Sequence, residues 1–307
     1  MIVSTELALF DMIVRRGSLS AAALDLGLTP ASVSKRLINL EKQLGVLLVN
    51  RTTRRLSLTD EGEAFHRHAV RILAELEEME QLVSRNKSKP TGLLRVNAPL
   101  GFGRTYVTPI ISKFVKKYPD VEVQLQLTDH PLSLADAACE VGIRFGELPD
   151  ARVIAKRVAQ NRRLVCAAPS YLKKRGIPKV PHDLSTHNCV ILRQNDAAYG
   201  TWHFTRGKHT ETIKVRGSLS SNDGEVALNW VLDGHGIMLR AEWDIAKYLR
   251  SGRLQLILEG YATPPADIFA VYPERHASTP RVQAFTDFLV TSFSDREQTS
   301  SGGRATW

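Results

Sequence analysis

The order of apolar and polar residues over positions 17–62 predicts two short helices joined by a tight turn, then a hairpin and the start of a longer helix. In the second short helix, apolar residues recur at intervals of four, three and four, which places them on one face. These residues are Val33, Leu37, Leu40 and Leu44. We expect this face to pack against a core, so that the residues between its members point outward.

Capping residues mark the limits of both short helices. Ser20 is the candidate N-cap of the first helix, and Gly27 ends it as a C-cap glycine does. Thr29 followed by Pro30 predicts the start of the second helix, because the missing N–H of proline costs nothing at the first helical position. Gly45 closes that helix.

The outward-facing residues of this stretch have the chemistry of a DNA-binding surface. The first turn of the second helix presents small and basic side chains, which allow close approach to base edges and reach phosphates or guanine. The hairpin carries a basic tip, as a phosphate-binding wing does. We predict DNA contacts from Ser20, Thr29, Pro30, Ala31, Ser32, Ser34, Lys35, Arg36, Arg51, Thr52, Thr53, Arg54 and Arg55. A single arginine here is more often a solvated surface charge, but the whole arrangement is specific for a winged helix-turn-helix.

Residues 59–87 predict one long amphipathic helix. Thr59 is its candidate N-cap, and Asp60 and Glu61 lie in the first turn, where the helix dipole favours carboxylates. Its apolar residues recur at intervals of four and three, which is the seam of a coiled coil. We predict that two copies of the chain pair through Phe65, Ala69, Ile72, Leu76, Met79 and Val83. The alternative is a helix that packs on its own domain.

The rest of the chain alternates strand and helix patterns. Residues 121–127 have strict period two, and residues 109–118 have the spacing of an amphipathic helix. Repetition of this alternation predicts an α/β domain with mainly parallel sheets. Residues 86–92 break the preceding helix and are predicted to form a hinge. The polar residues 294–307 are predicted to be a disordered tail.

Charge and cysteine content restrict the class of protein. Residues 1–58 hold 8 Lys/Arg against 4 Asp/Glu, residues 59–90 hold 5 against 7, and the remainder holds 28 against 21. A basic N-terminal region suits DNA. The basic C-terminal region is compatible with a small anionic ligand, although scattered surface lysines explain it equally well. The three cysteines are widely spaced and lack a CxxC motif, which favours reduced thiols over a disulfide framework or zinc site.

The N-terminus and the hydropathy pattern argue against secretion or membrane insertion. No apolar run approaches the ~20 residues of a transmembrane helix. The first residues lack a basic region and include Glu6 and Asp11 within an apolar stretch, unlike a signal peptide. We therefore expect a cytoplasmic protein.

The N-terminal residues resemble those of the LysR-type transcriptional regulators. The resemblance is carried by Phe10, Val14, Gly17, Ser18, Ala21, Ala22, Ala23, Leu26, Ser32, Val33, Ser34, Leu40, Glu41, Leu44, Gly45, Leu48, Arg51, Leu58, Thr59 and Gly62. One departure is Val49, where the family usually has Phe, and we expect slightly looser packing under the wing. The resemblance extends over nearly the whole chain.

This resemblance implies an architecture and a set of partners. The fold expected is α/β, with an all-α winged helix-turn-helix domain, a long linker helix for dimerisation, and two Rossmann-like subdomains resembling periplasmic binding proteins. The limits expected are 1–58, 59–90, and 91–293, divided into subdomain I (91–161 and 266–293) and subdomain II (162–265). The partners implied are double-stranded DNA with an interrupted near-palindromic site, a second copy in a dimer or tetramer, RNA polymerase and a small-molecule effector.

The effector is expected in the cleft between the subdomains. A Gly-x-Gly turn at 101–103 follows a strand and suits an anion, and a purely structural turn is the alternative. Tyr106 replaces the third glycine of a dinucleotide fingerprint, so we expect no cofactor there. The candidate effector-binding residues are Leu100, Gly101, Phe102, Gly103, Arg104, Thr128, Arg144, Trp202, Ser221, Asn222 and Arg240. The arginines are candidate carboxylate partners; salt bridges within the protein are the alternative. The sequence is most similar to the branch that regulates malate and tartrate catabolism, which makes a small hydroxy-dicarboxylate the first candidate effector.

Two other classes of protein, an enzyme and a solute-binding protein, agree less well with the sequence than a regulator does. An enzyme is disfavoured because the chain has no HExxH, GxSxG or Walker motif, and His66 and His68 diverge on a helix, which makes them a poor metal pair. We therefore expect neither catalytic residues nor a metal site. A solute-binding protein of a transporter would match the C-terminal region alone, but it does not explain a DNA-binding N-terminus.

Overall fold

A computed structural model describes residues 2–51, 56–83, 89–129, 139–146, 148, 153–193, 200–299 and 307. The chain divides into two compact units, Met1–Ser88 and Lys89–Trp307. In the described part of the chain, no helix combines the length and the apolar character needed to cross a bilayer.

The first unit is a small helical domain with a two-stranded hairpin, as predicted. Its elements are α1 (Ser4–Arg16), α2 (Leu19–Asp25), α3 (Pro30–Leu44), β1 (Val49–Arg51), β2 (Leu56–Leu58) and α4 (Asp60–Val83). The hairpin is antiparallel, with Val49 opposite Leu58. The predicted apolar stripe of α3 is buried at Val33, Leu37 and Leu40, which makes it part of the core of this unit.

The helix limits in this unit follow the capping signals with one exception. The Thr29 hydroxyl accepts a hydrogen bond from the Ser32 amide at 3.2 Å, and Gly45 has the left-handed backbone of a C-cap (φ 72°). The prediction that Ser20 caps α2 is wrong, because the helix begins at Leu19 and Ser18 is the residue whose hydroxyl accepts from the Ala21 amide. Ser20 is instead an exposed residue of the first turn.

The apolar seam of α4 is divided between two environments. The ring of Phe65 meets that of Phe10 on α1 at 5.3 Å, and Ala69 is only 1% exposed. The prediction that these two residues form a dimer contact is therefore wrong, because they pack on their own domain. Further along the helix, Ile72 is 40% and Met79 54% exposed. Leu76 is half-buried, and the side chain of Val83 lies outside the described residues.

The second unit contains twelve strands in its described residues. They are β3 (Gly92–Pro99), β4 (Val121–Thr128), β5 (Val141–Phe145), β6 (Val153–Ala159), β7 (Arg163–Ala167), β8 (Ile191–Leu192), β9 (Thr201–Arg206), β10 (His209–Lys214), β11 (Ser220–Ser221), β12 (Ile237–Ala241), β13 (Gln255–Ile257) and β14 (Ile268–Pro273). The α-helices described there are α5 (Leu100–Phe102), α6 (Thr108–Lys117), α7 (Pro169–Arg175), α8 (Gly224–Leu232), α9 (Glu242–Arg250) and α10 (Pro280–Thr299). A π-helical turn, Gly103–Val107, joins α5 to α6.

The prediction of mainly parallel sheets is wrong, because the five-stranded sheet of this unit is mixed and its three-stranded sheet is antiparallel. One sheet has the order β4-β3-β5-β14-β6, and another has the order β12-β7-β13. Strands β4 and β5 run parallel to β3, whereas β14 runs antiparallel to both β5 and β6. In the five-stranded sheet the difference arises because the chain leaves it after β6 and returns to it, reversed, as β14. The subdomain limits given above stay a prediction.

Two chain crossings between these sheets lie side by side. Asn161 follows β6, and its backbone amide donates to Asp267 Oδ1 at 3.1 Å. Its side-chain amide donates to Ala266 O at 2.9 Å, and its Oδ1 accepts from the Trp243 amide at 3.4 Å. One buried asparagine therefore joins both crossings to the start of α9.

The C-terminal residues are more ordered than predicted. Helix α10 continues to Thr299, so the prediction of a disordered tail is wrong for residues 294–299. The Ser294 hydroxyl donates to Val290 O at 3.0 Å, one turn back along the helix. Residues 300–306 lie outside the described residues. Trp307 packs on Tyr106 and Phe293, with ring separations of 5.2 and 5.9 Å.

Candidate nucleic-acid interface and ligand cleft

The first turn of α3 presents the small and basic surface that the sequence predicted. Thr29, Pro30, Ala31 and Lys35 are exposed, and Ser32 and Ser34 are half-buried. Small residues at the start of a recognition helix allow the backbone to approach base edges, and a lysine nearby can reach a phosphate. This face of α3 is the best candidate for insertion into a major groove.

Arg36 does not lie free on that surface. Its guanidinium donates to Glu6 Oε1 on α1 from Nε at 3.1 Å and from Nη2 at 2.8 Å, and Nη2 also donates to Thr5 O at 3.2 Å. These bonds direct Arg36 towards α1. Its predicted role in DNA contact is therefore weaker than that of Lys35.

A buried carboxylate connects the recognition helix to the hairpin. Glu41 on α3 is 6% exposed, and its Oε1 accepts hydrogen bonds from the amides of Leu48 at 3.0 Å and Val49 at 3.3 Å. These bonds set the position at which β1 begins. The predicted DNA contacts of Thr52, Thr53, Arg54 and Arg55 lie outside the described residues, as does the side chain of Arg51.

The second unit contains a cavity of about 430 Å³, lined by the five-stranded sheet and the helix that follows β3 on one side and by strands β7, β8, β9 and β12 on the other. Six of the predicted effector-binding residues line it: Leu100, Gly101, Phe102, Trp202, Asn222 and Arg240. The first three come from the start of α5, and the others come from elements around the second sheet. The sequence therefore identified both walls of the cavity.

The other five predicted residues, Gly103, Arg104, Thr128, Arg144 and Ser221, do not line this cavity. Arg104 Nη2 lies 2.9 Å from Glu225 and 3.6 Å from Asp223, so it forms a salt bridge within the protein. Arg144 donates to Asn97 Oδ1 at 2.7 Å, and burial lowers the pKa of its guanidinium. The prediction that these five residues face the ligand is wrong for this cavity.

Asn97 accounts for the placement of Thr128 as well. Its amide nitrogen donates to Thr128 Oγ1 at 3.0 Å. The Ser221 hydroxyl accepts from the Asp223 amide at 3.0 Å and so belongs to the turn before α8. All these polar groups have roles inside the protein.

The glycines at 101 and 103 lie in a helix and allow close packing, most tightly at Gly103. Gly103 has ordinary helical dihedral angles (φ −59°, ψ −48°). A Cβ on Gly103 would lie 2.2 Å from a methyl group of Leu127, and one on Gly101 would lie 3.3 Å from the Trp243 ring. The predicted turn is thus helical, and because the helix begins at Leu100, the amides of its first turn lie at a helix N-terminus beside the cavity.

Several cavity residues were missed by the sequence reasoning. Phe145 and Trp243 add to Phe102 and Trp202 as aromatic lining, and Arg163 and Arg193 add two cations. Their signal in the sequence was weak, since Arg163 is merely a polar residue at the start of an apolar strand. Only the pairing of β7 with β12 brings it next to the cavity wall.

Arg240 is the most buried cation of the cavity. Its side chain is 8% exposed, and Nε and Nη2 both lie 2.6 Å from Asp244 Oδ2. Its guanidinium also lies 5.6 Å from the centre of the Trp243 ring. A Cβ on Gly224 would lie 1.9 Å from Arg240 Nη2, so a larger residue there would force this guanidinium to move.

Metal binding is not supported by the described residues, in which no three His, Cys, Asp or Glu side chains are grouped to hold an ion. The cysteines are buried thiols, and burial raises the pKa of Cys166 to about 12. A thiol in this protonated form is a poor nucleophile and metal ligand.

Comparison with known families identifies the chain. The family described as LysR substrate binding domain matches residues 87–294, and the family described as Bacterial regulatory helix-turn-helix protein, lysR family, matches residues 4–63. The chain belongs to the LysR family of transcriptional regulators. The fold class predicted from the sequence is confirmed by these matches.

Relatives of this LysR-type regulator match it along nearly its whole length. The HTH-type transcriptional activator TtdR of Escherichia coli K12 is 38% identical over 289 residues, covering 94% of this chain and 93% of its own. The HTH-type transcriptional regulator DmlR of the same strain is 37% identical over 290 residues, covering 94% of each. These two relatives match the branch of the family that the sequence resembled.

A solved structure agrees with the architecture of the regulator. CrgA, a LysR-type transcriptional regulator from Neisseria meningitidis, is 30% identical with a TM-score of 0.58, over 95% of this chain and 99% of that chain. The protein is therefore a DNA-binding transcriptional regulator with a small-molecule-binding domain, and the enzyme alternative is excluded by the nature of its family.

Proposed function

We propose that this regulator binds an interrupted near-palindromic promoter site as a dimer or tetramer, and that a small anion in the 430 Å³ cavity modulates this binding. The observation that carries the effector proposal is the lining of that cavity, in which three arginines face one aspartate, Asp129, among the described residues. Asp244, which does not line the cavity, forms a salt bridge with one of these arginines, Arg240. An excess of cations in a partly buried space favours an anionic ligand.

A hydroxy-dicarboxylate such as malate or tartrate is the first candidate for this anion. Arginine guanidinium groups bind carboxylates in a bidentate manner, and Asn222 and Thr201 supply polar groups in the same lining. The volume is at the small end of the range of ligand sites. An aromatic carboxylate is the second candidate, because four aromatic side chains line the cavity.

The DNA-binding proposal rests on the exposed first turn of α3. Dimer formation would place two copies of this helix against two half-sites, since a two-fold symmetric protein fits a palindromic site. The exposed apolar residues Ile72 and Met79 on α4 support pairing through that helix. Contact with RNA polymerase stays a prediction.

For the effector to act as a switch, it must bind two arrangements of the protein with different affinity. The cavity lies between two sheets joined by adjacent crossings, so a ligand touching both walls favours one angle between them. We propose that this angle alters the spacing of the DNA-binding units in the oligomer.

The test is thermal unfolding of the full chain with L-malate, tartrate, succinate, benzoate and lactate, combined with retardation of promoter DNA. A ligand that binds only the folded state raises Tm by mass action. We expect a rise with at least one dicarboxylate and a change in DNA affinity at the same concentration. A rise with benzoate alone would favour the second candidate, and no rise with any anion would refute the anionic effector.

A further inference from the structure

Two successive arginines that follow the first chain crossing have opposite surroundings. The Arg162 guanidinium donates two hydrogen bonds to the Glu242 carboxylate, from Nε to Oε2 at 2.9 Å and from Nη2 to Oε1 at 2.7 Å. Its side chain is 63% exposed, and it lies outside the lining of the cavity. The hydrogen bonds that Arg162 donates to Glu242 raise the pKa of Arg162. Arg162 therefore already has its counter-ion within the protein.

Arg163 is half-buried and lines the cavity, yet its guanidinium has no acceptor among the residues that the structure describes. Burial lowers the pKa of Arg163, and the positive charge of Arg240 lowers it further. The neighbouring Arg240 already has its own carboxylate, Asp244. A partly buried charge without a counter-ion is unfavourable unless a ligand supplies one.

Trp243, at the start of α9, also has a donor without an acceptor. The indole nitrogen of Trp243 is buried and makes no hydrogen bond to any described residue. Trp243 lines the cavity with Arg163. That nitrogen is enclosed and does not reach the cavity, whereas the unused charged donor of Arg163 matches a ligand that presents acceptors only, as a carboxylate does.

We infer that Arg163 anchors a carboxylate of the effector and determines the preference of the cavity for anions. The inference rests on the function proposed above. A carboxylate can accept two parallel hydrogen bonds from the guanidinium fork. It also reduces the repulsion between Arg163 and Arg240. Arg163 is the first residue of β7, so the carboxylate is held at the sheet β12-β7-β13. The rest of the ligand then faces Leu100 and Phe102 across the cavity.

The experiment compares Arg163→Gln with Arg162→Gln in the full chain. Both variants remove one positive charge, at adjacent positions. Each is titrated calorimetrically with the dicarboxylate that stabilises the wild type, and Tm is measured without ligand. For Arg163→Gln we expect an affinity loss of about tenfold or more, with no loss of Tm. For Arg162→Gln we expect a lower Tm, because Glu242 loses its partner, with ligand affinity close to that of the wild type.

Arg163→Lys provides a second test that keeps the charge. Lysine lacks the planar fork, so we expect an affinity between those of the wild type and Arg163→Gln. Wild-type affinity in Arg163→Gln, or in Arg163→Lys if the first variant does not fold, overturns the role of Arg163 and leaves the anionic effector standing. A wild type that responds to no anion overturns both proposals. Retardation of promoter DNA by each variant verifies that the N-terminal unit is intact.

Discussion

The guanidinium of Arg36 on α3 holds the carboxylate of Glu6 on α1, with two nitrogens bound to the single oxygen Oε1 at 3.1 and 2.8 Å. Their side chains are 32% and 23% exposed, so solvent screens the pair only in part. Arg36, which the sequence predicted to contact DNA, thus holds α3 against α1.

Arg36→Ala should therefore lower stability, and Lys35→Ala should lower DNA affinity. We expect the first to reduce the free energy of unfolding of the N-terminal unit by about 1 kcal/mol. The exposed Lys35 has no such role, so its removal should weaken binding to all DNA sequences and reduce the salt slope by about 1. Urea unfolding and fluorescence anisotropy with promoter DNA at several salt concentrations measure the two effects. Equal effects of the two variants on both quantities would contradict this division.

Glu41→Ala should loosen the start of the hairpin. The change leaves the amides of Leu48 and Val49 without their acceptor, and a buried unsatisfied donor costs about 1–3 kcal/mol. Hydrogen exchange of the peptide that contains residues 46–51 should become faster. Lys42→Ala, at the exposed neighbouring position, is the control and should leave that exchange rate unchanged.

Met79→Glu should weaken dimerisation, whereas Phe65→Ala should weaken the fold. Met79 is 54% exposed, so a charge there is tolerated by the monomer but not by an apolar pairing surface. Phe65 packs on Phe10, and its truncation should cost up to about 3 kcal/mol. Sedimentation velocity reports the dimer, and thermal unfolding reports the fold. Unchanged dimerisation in Met79→Glu would argue for pairing through another surface.

Gly224→Ala should displace Arg240 from Asp244, because the added Cβ would lie 1.9 Å from Arg240 Nη2. We expect weaker effector binding and a lower Tm. The matched control is Gly260→Ala, whose Cβ would meet no atom within 4 Å. Calorimetric titration with the effector and a thermal melt of each variant measure the result, and wild-type behaviour of Gly224→Ala would show that Arg240 can move without consequence.

His276 should make stability depend on pH. Burial lowers its pKa to about 4, helped by the charges of Arg275 and Arg281. Since the unfolded residue has a pKa near 6.5, the unfolded state binds more protons between these values. Stability should therefore rise as pH increases from about 4 to about 6.5 and be lost as pH falls through that window. His276→Gln should flatten this part of the profile of Tm against pH, provided that the variant folds.

Local signals predicted the fold better than the site. Thr29, Pro30 and Gly45 act through neighbours in sequence, so their roles could be assigned without a structure. Arg163 acquires its position only when β7 pairs with β12, a contact between residues about 75 positions apart. Phe65 and Met79 share one apolar periodicity, and that periodicity cannot tell which part of a stripe meets the same chain and which meets another.

Helix α4 has 24 residues and is about 36 Å long. Its first turns are fixed to α1 through Phe65, and its exposed apolar residues begin at Ile72. In a dimer that pairs through Ile72 and Met79, α4 is a rigid connection, and it determines the direction in which each copy of α3 points. Inserting one residue between Ala69 and Ile72 would rotate the DNA-binding domain by about 100° about the axis of α4. Operator recognition would then be lost although every predicted DNA-contacting side chain is intact, so in such a dimer the phase of α4 helps to determine which DNA site is bound.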